Sequence, residues 1–343
     1  MRGKLLLTLF FLLALLIPSA MAQTQDPFWT WVATIKAGGA EGQATLARVI
    51  ERYQADDPTA GAVLGYLYLD GVVYPRDLKK AWEFFSWAYR QESSWGAVWM
   101  ASMLGLGLYQ VANQEEAYRQ AVDLLHRAMA RGNLTAQALY AGYLMFGIGV
   151  QADPAKALRL IREAAEKGDP LGKHQLARAY SPFEGFPRLL EPDLVKARGL
   201  YEEAVKGGVY TAPGRLAFML YHGLGGPADP KRAAELAKPY VGLEGFATGV
   251  YLLALHEGKG IAQNKAEACK LAAGPEGEVV PGYSAYILAL CLKEKGQKVE
   301  AYAYLLKAAA WNVPEANPLL KEWEKELTRE ELEAAKARFK SLP

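Results

Sequence analysis

The feature that most constrains this chain is a short pattern that returns along most of its length. Gly71-Val72-Val73 is followed by Asp77 and then Lys80-Ala81. Gly147-Ile148-Gly149-Val150 is followed by Asp153 and Lys156-Ala157. Gly223-Leu224-Gly225-Gly226 is followed by Asp229 and Arg232-Ala233, and Gly258-Lys259-Gly260-Ile261 by Asn264 and Glu267-Ala268. Asp193, Lys196 and Ala197 keep the second half of the pattern, behind a longer stretch from Ser181 to Pro187. Ala121 and Ala301 mark two more copies by their second half alone. The marker alanines Ala81, Ala121, Ala157, Ala197, Ala233, Ala268 and Ala301 stand 40, 36, 40, 36, 35 and 33 residues apart. Units of this size, repeated about seven times, are supersecondary elements that bury their apolar faces only against their neighbours.

Each part of the unit has a physical reading. The segment before the glycines, such as 62–69, reads as a helix, and a glycine ends it because a left-handed C-cap costs little without a Cβ. The Asp or Asn is an N-cap for the next helix, with Pro154 and Pro230 at first helical positions where a missing N–H costs nothing. That second helix shows helical apolar spacing, as in Ala157, Leu160, Ile161, Ala164 and Ala165, and stops at Gly168. The expected architecture is therefore all-α: a right-handed α-solenoid of stacked helix-turn-helix repeats. Residues 23–58 read as N-terminal capping helices, 59–313 as the solenoid and 314–343 as a charged C-terminal cap with Thr328 and Glu331 in capping-box spacing.

The unit resembles the Sel-1-like repeat, a relative of the tetratricopeptide repeat. Leu64-Gly65, Tyr68, Gly71, Val73, Asp77, Lys80-Ala81 and Ala88 follow that family's pattern in one copy. Gly147, Gly149, Val150, Asp153, Lys156-Ala157, Ala164-Ala165 and Gly168 follow it in another. The resemblance implies a scaffold or adaptor for other proteins and names no partner. The matching residues are turn and packing positions, so none carries over as a functional site.

The first residues read as an address. Arg2 and Lys4 precede an apolar run from Leu5 to Ile17, and Ala20-Met21-Ala22 is a cleavage pattern, so residues 1–22 are expected to be a signal peptide. The run is shorter than the roughly 20 residues that span a bilayer, and no second long apolar run follows, so no stable membrane insertion is expected after cleavage. The expected location is extracytoplasmic, in a periplasm or outside the cell. The chain has 39 basic and 37 acidic residues, and losing Arg2 and Lys4 leaves the charges balanced. A balanced chain has no long-range field to gather nucleic acid.

Little points to chemistry. Gly147 to Ala152 and Gly223 to Ala228 fit a dinucleotide-loop spacing, but they follow helices rather than strands, so no cofactor is expected. His126, His174, His222 and His256 are scattered and form no ligand spacing, so no metal site is expected either. Cys269 and Cys291 fall on adjacent helices of the sixth and seventh copies, a placement that admits a disulfide or two reduced, buried thiols. The aromatic cluster Trp82, Phe84, Phe85, Trp87, Tyr89, Trp95 and Trp99 is richer than one helix face needs; most of it reads as core, with Trp95 and Trp99 as candidate anchors for a partner. The residue just before the glycine turn varies between copies, as Asp70, Phe146, His222 and Glu257. With Tyr66 and Phe218 one turn earlier, these make the expected binding surface for a protein or peptide along the concave face. The alternatives are an enzyme acting on an envelope component such as a peptidoglycan fragment, or an accessory subunit of a membrane complex.

Overall fold

In the computed structural model every hairpin announced by the repeat forms. Residues 27–109, 111, 113–182 and 187–342 are described; the expected signal peptide and the middle of the Ser181–Pro187 stretch lie outside them. Two N-terminal helices, α1 (Phe28–Ala37) and α2 (Gly39–Gln54), precede seven helix pairs. These are α3 (Pro58–Asp70) with α4 (Leu78–Arg90), α5 (Ser94–Gly105) with α6 (Gln114–Ala130), and α7 (Leu134–Phe146) with α8 (Pro154–Glu166). They continue with α9 (Pro170–Tyr180) and α10 (Leu194–Lys206), then α11 (Ala212–His222) and α12 (Pro230–Ala237). The sixth pair is α13 (Gly245–Glu257) with α14 (Lys265–Ala273); after a single turn, α15 (Pro275–Glu278), the seventh is α16 (Pro281–Glu294) with α17 (Lys298–Ala310). The C-terminal segment is two helices rather than one, α18 (Ala316–Trp323) and α19 (Arg329–Lys340), and Thr328 and Glu331 form a reciprocal capping box at the start of the second. Among the described residues no helix is long and apolar enough to cross a membrane.

The turns explain the repeat. Gly71, Gly147, Gly223 and Gly258 all adopt left-handed φ values, between 68° and 78°, that end the first helix of their copies. Asp77, Asp153, Asp193, Asp229 and Asn264 each accept, through a side-chain oxygen, the backbone N–H three residues on. The same residues donate their own N–H back to the first helix: Asp77 to Tyr68 O, Asp153 to Leu144 O, Asp229 to Leu220 O and Asn264 to Leu255 O. Asp193, which has no glycine loop before it, makes the equivalent bond to Tyr180 O at 3.1 Å. One backbone bond therefore closes both the short and the long version of the turn. The glycine-poor copies form full hairpins, and all seven marker alanines are fully buried.

Small residues set how closely the helices approach. A Cβ on Gly172 would sit 2.7 Å from the Ala165 nitrogen and 2.8 Å from the Ala164 methyl, so α9 rests directly on the α8 backbone. The core runs along the stack as two clusters of buried side chains that meet near the fourth copy. Cys269 on α14 and Cys291 on α16 are joined by a disulfide with a Cα–Cα distance of 6.2 Å.

The stack is strongly curved. The Tyr66 hydroxyl of the first copy accepts the Tyr210 N–H at 3.1 Å, although 144 residues separate them. On the inside of this curve lies α1, which is not a cap at the end of the stack. Its Phe28 ring stacks on Trp95 of the second copy at 3.9 Å. Trp29 Nε1 donates to Thr135 Oγ1 of the third copy, and Lys36 Nζ donates to Gly208 O ahead of the fifth. A ten-residue helix is about 15 Å long, so it reaches all of these only from the concave side.

Candidate functional site

The concave face divides into two regions. In the N-terminal region α1 fills the groove. Phe28, Trp29, Val32 and Ile35 are buried there, and Tyr66, Trp95 and Trp99 pack around them. The expectation that Trp95 and Trp99 present an accessible anchor does not fit this geometry, because they are 5% and 7% exposed beneath α1. Tyr66 is 3% exposed. Asp70 is also buried, and its carboxylate meets Lys36 Nζ at 2.9 Å. That ammonium lies 5.3 to 5.9 Å from the ring centres of Tyr66, Tyr210 and Tyr240. Each ring presents negative π density to the cation, and the carboxylate completes the cage.

Further in, Trp29 donates to Thr135, and Thr135 donates at 2.5 Å to Asp169 Oδ2. Asp169 Oδ1 caps α9 by accepting from Gly172 N at 2.7 Å. Burial pushes the Asp169 carboxyl up to about 6, against the pull of these donors.

In the C-terminal region side chains from four elements converge. Tyr221 at the end of α11 donates to Glu257 Oε2 at 2.8 Å, at the end of α13. Tyr283 on α16 donates to Glu315 Oε2 at 3.5 Å, just ahead of α18. His222 Nε2 lies 3.7 Å from the other Glu315 oxygen. Lys259 Nζ stands 4.4 Å from the centre of the Tyr221 ring and donates to the Tyr221 carbonyl. Phe218 packs against His222 at 4.5 Å in a tilted contact and edge-to-face against Phe246 at 5.4 Å, giving the site an apolar wall.

Burial sets the charges here. It holds the Glu315 carboxyl above its usual range, with repulsion from Glu257 adding to the shift. It also lowers His222 to about 4, assisted by Lys259, so the imidazole is neutral at pH 7 and its contact with Glu315 is not an ion pair. Glu257 is exposed and His222, Tyr283 and Glu315 are half-buried, whereas Tyr221 is buried, so the site offers a ligand carboxylate oxygens rather than the Tyr221 ring. Among the described residues no group of three His, Cys, Asp or Glu side chains could hold a metal ion.

The structure therefore brings together His222 and Glu257, picked from the turn positions, and Phe218, picked one turn earlier. It collects Tyr66, Asp70, Trp95 and Trp99 around α1 instead. Phe146 stands exposed at the end of α7. Sequence reasoning missed Glu315 and Tyr283, which lie off the repeat pattern, and Tyr221, although it neighbours His222. It also missed Lys36; the signal there was Phe28-Trp29-Thr30-Trp31, too aromatic for a solvated cap.

A model of the Sel1 repeat matches residues 62–93, 134–169, 170–209, 215–238 and 247–273. These segments fall in the first, third, fourth, fifth and sixth hairpins; the second and seventh, without the glycine loop, lie outside them. No curated protein matches the chain. Among solved structures, a protective antigen present in uropathogenic Escherichia coli strains, displaying an SLR fold, is 22% identical with a TM-score of 0.45, over 86% of this chain and 64% of that one. This chain thus spans less than two thirds of that protein. A Sel1 repeat protein from Oxalobacter formigenes is 19% identical with a TM-score of 0.41, over 66% of this chain and 90% of its own. A sel1 repeat protein from Klebsiella pneumoniae is 20% identical with a TM-score of 0.38, over 56% and 90% respectively. On the five matched hairpins and the turns that build them, the chain belongs to the Sel1 repeat family.

Proposed function

We propose that this protein is an exported, non-catalytic scaffold that binds a protein or peptide partner on the C-terminal region of its concave face. The fold is one that serves generally as a protein-interaction scaffold. The observation that carries the location is the convergence of Tyr221, His222, Glu257, Tyr283 and Glu315 beside the Phe218 and Phe246 rings. A face with acceptors set among aromatic rings fits a peptide carrying basic and apolar side chains. A rigid solenoid also limits the ordering cost of binding. Export is supported by the leader-like start, Arg2 to Ala22, and by the Cys269–Cys291 disulfide, since disulfides persist in oxidising compartments.

A photo-crosslinking residue at position 257, compared in intact cells with one at Val195, tests the surface. Val195 is 70% exposed on α10 of the fourth copy, which contributes none of the side chains named for the site. A discrete adduct from position 257 and none from 195 is expected. Equal adducts from both would remove the site assignment. Mass spectrometry of the purified native protein tests export, with a mature start at Gln23 expected.

The paired carboxylates favour one other reading, an enzyme acting on an envelope component. Turnover of solubilised peptidoglycan fragments that is lost in Glu315→Gln would establish it and displace the scaffold reading.

A further inference from the structure

The groove that holds α1 has the features of a ligand site. The solenoid stacks from α2 onward by contacts between successive helices, and α1 lies across that stack. It is joined to α2 through Gly38 and Gly39, both with left-handed φ, 73° and 67°, and neither with any neighbour that a Cβ would touch. Such a joint turns with little backbone strain, and beyond it α2 meets α1 at Gly42, where a Cβ would lie 2.9 Å from Thr34 O. The contacts of α1 are those of a docked amphipathic peptide. Apolar side chains enter at Phe28, Trp29, Val32 and Ile35, and one cation, Lys36, is enclosed by Asp70 and three tyrosines.

The fit is incomplete on one flank. A cavity of about 830 Å³ runs beside α1, past Thr30 and Thr34, and its far wall carries Arg131, Lys167 and Lys206. The carboxyl on that wall, Asp169, is engaged by Thr135 and by Gly172. Arg131 meets the exposed Glu92 carboxylate and donates to the Glu92 carbonyl, and Lys167 meets the exposed Glu163 carboxylate; such exposed pairs contribute little. So α1 leaves a basic wall facing two threonines.

We propose that α1 is a tethered self-ligand, and that the groove takes in its place an amphipathic helix of a partner protein. That helix carries an aromatic pair at one end, a lysine two turns later for the tyrosine cage, and carboxylates along the flank facing Arg131, Lys167 and Lys206. This surface is separate from the C-terminal site, so the two proposals stand or fall independently.

The test uses the whole chain with a protease recognition sequence inserted between Gly38 and Gly39. The probe is a fluorescein-labelled peptide of residues 27–38. While tethered, α1 competes at an effective concentration on the order of millimolar, so the uncut protein takes up little peptide. After cleavage, with circular dichroism and melting temperature retained, the peptide exchanges in. A Lys36→Ala peptide then binds at least ~10-fold more weakly, as loss of a caged, ion-paired cation requires. A Thr30→Glu, Thr34→Glu peptide binds several-fold more tightly at low salt and loses that gain at high salt.

Four results would overturn the proposal: no exchange by a cleaved protein that stays folded, unfolding on cleavage, equal uptake before and after cleavage, or no gain from the glutamates. A dimer of the uncut chain that dissociates on cleavage would assign the groove to a second copy's α1 and also overturn it.

Discussion

Asp169 carries three tasks at one carboxyl: it caps α9, receives Thr135, and through Thr135 supports the indole of Trp29. Its folded pKa, about 6, lies above the ordinary 3.8, so the folded state holds a proton that the unfolded state has released. The contribution is therefore full below about pH 4 and declines as pH rises toward 6. A shift of this size corresponds to on the order of 3 kcal/mol. Asp169→Asn keeps the cap oxygen and removes the titration. Urea midpoints at pH 4.5 and pH 7 should differ less for the variant than for the parent; an unchanged difference would remove Asp169 as the cause. Two glycines make a paired contrast. Gly172→Ala forces a Cβ against Ala164 and Ala165 and should cost about 1–3 kcal/mol. Gly199→Ala, on α10 with nothing within 4 Å, should gain up to about 1 kcal/mol from helix propensity. Thermal melts read both, and a stabilised Gly172→Ala would mean the helices part more easily than their contact suggests.

At the scale of elements, the sequence was most legible where structure is local. Left-handed glycines and Asx caps act over three to five residues, so their spacing announced each hairpin directly. Of the copies without the loop, the fourth was legible by Asp193, Lys196 and Ala197 and the second and seventh only by their alanines, because a closing backbone bond such as that from Asp193 to Tyr180 O leaves no residue signature. What could not be read was any contact across the curve. Nothing local in Phe28 or Lys36 tells of Trp95 or Tyr240. The acidic site depends likewise on Glu315, beyond the last repeat, folding back toward Glu257. The cysteines were readable as neighbours because they fall on adjacent helices of the sixth and seventh copies. Their bond spans 22 residues, and removing it should cost about 3 kcal/mol, since it closes a loop of that length in the unfolded chain. A Cys269→Ser, Cys291→Ser variant should therefore melt several degrees lower, and an unchanged melt would mean that helix packing alone fixes the last two copies.

A repeat stack whose copies touch only their neighbours unfolds piecemeal, each segment as stable as its own interfaces. Two features of this molecule break that rule at opposite ends. At one end α1 ties the first, second and third copies to the turn ahead of the fifth, through Trp29, Lys36 and the Tyr66–Tyr210 bond. At the other, the disulfide ties the sixth copy to the seventh. Between them the buried cluster changes over near the fourth copy. The molecule should therefore open as two cooperative blocks. Trp29→Ala deletes a buried aromatic, a class of change that costs about 3–5 kcal/mol, and leaves Thr135 without its indole donor. Amide exchange should then accelerate together in α3, α5 and α7, which share no direct sequence continuity, and in the Tyr210 amide. Protection in α16 and α17 should stay as it was, because the contacts of α1 described above run only as far as Tyr240. The cysteine variant should give the reverse pattern. Uniform loss of protection along the whole chain in either variant would mean a single cooperative unit, and loss confined to α1 would mean that the helix rests on the curve without holding it.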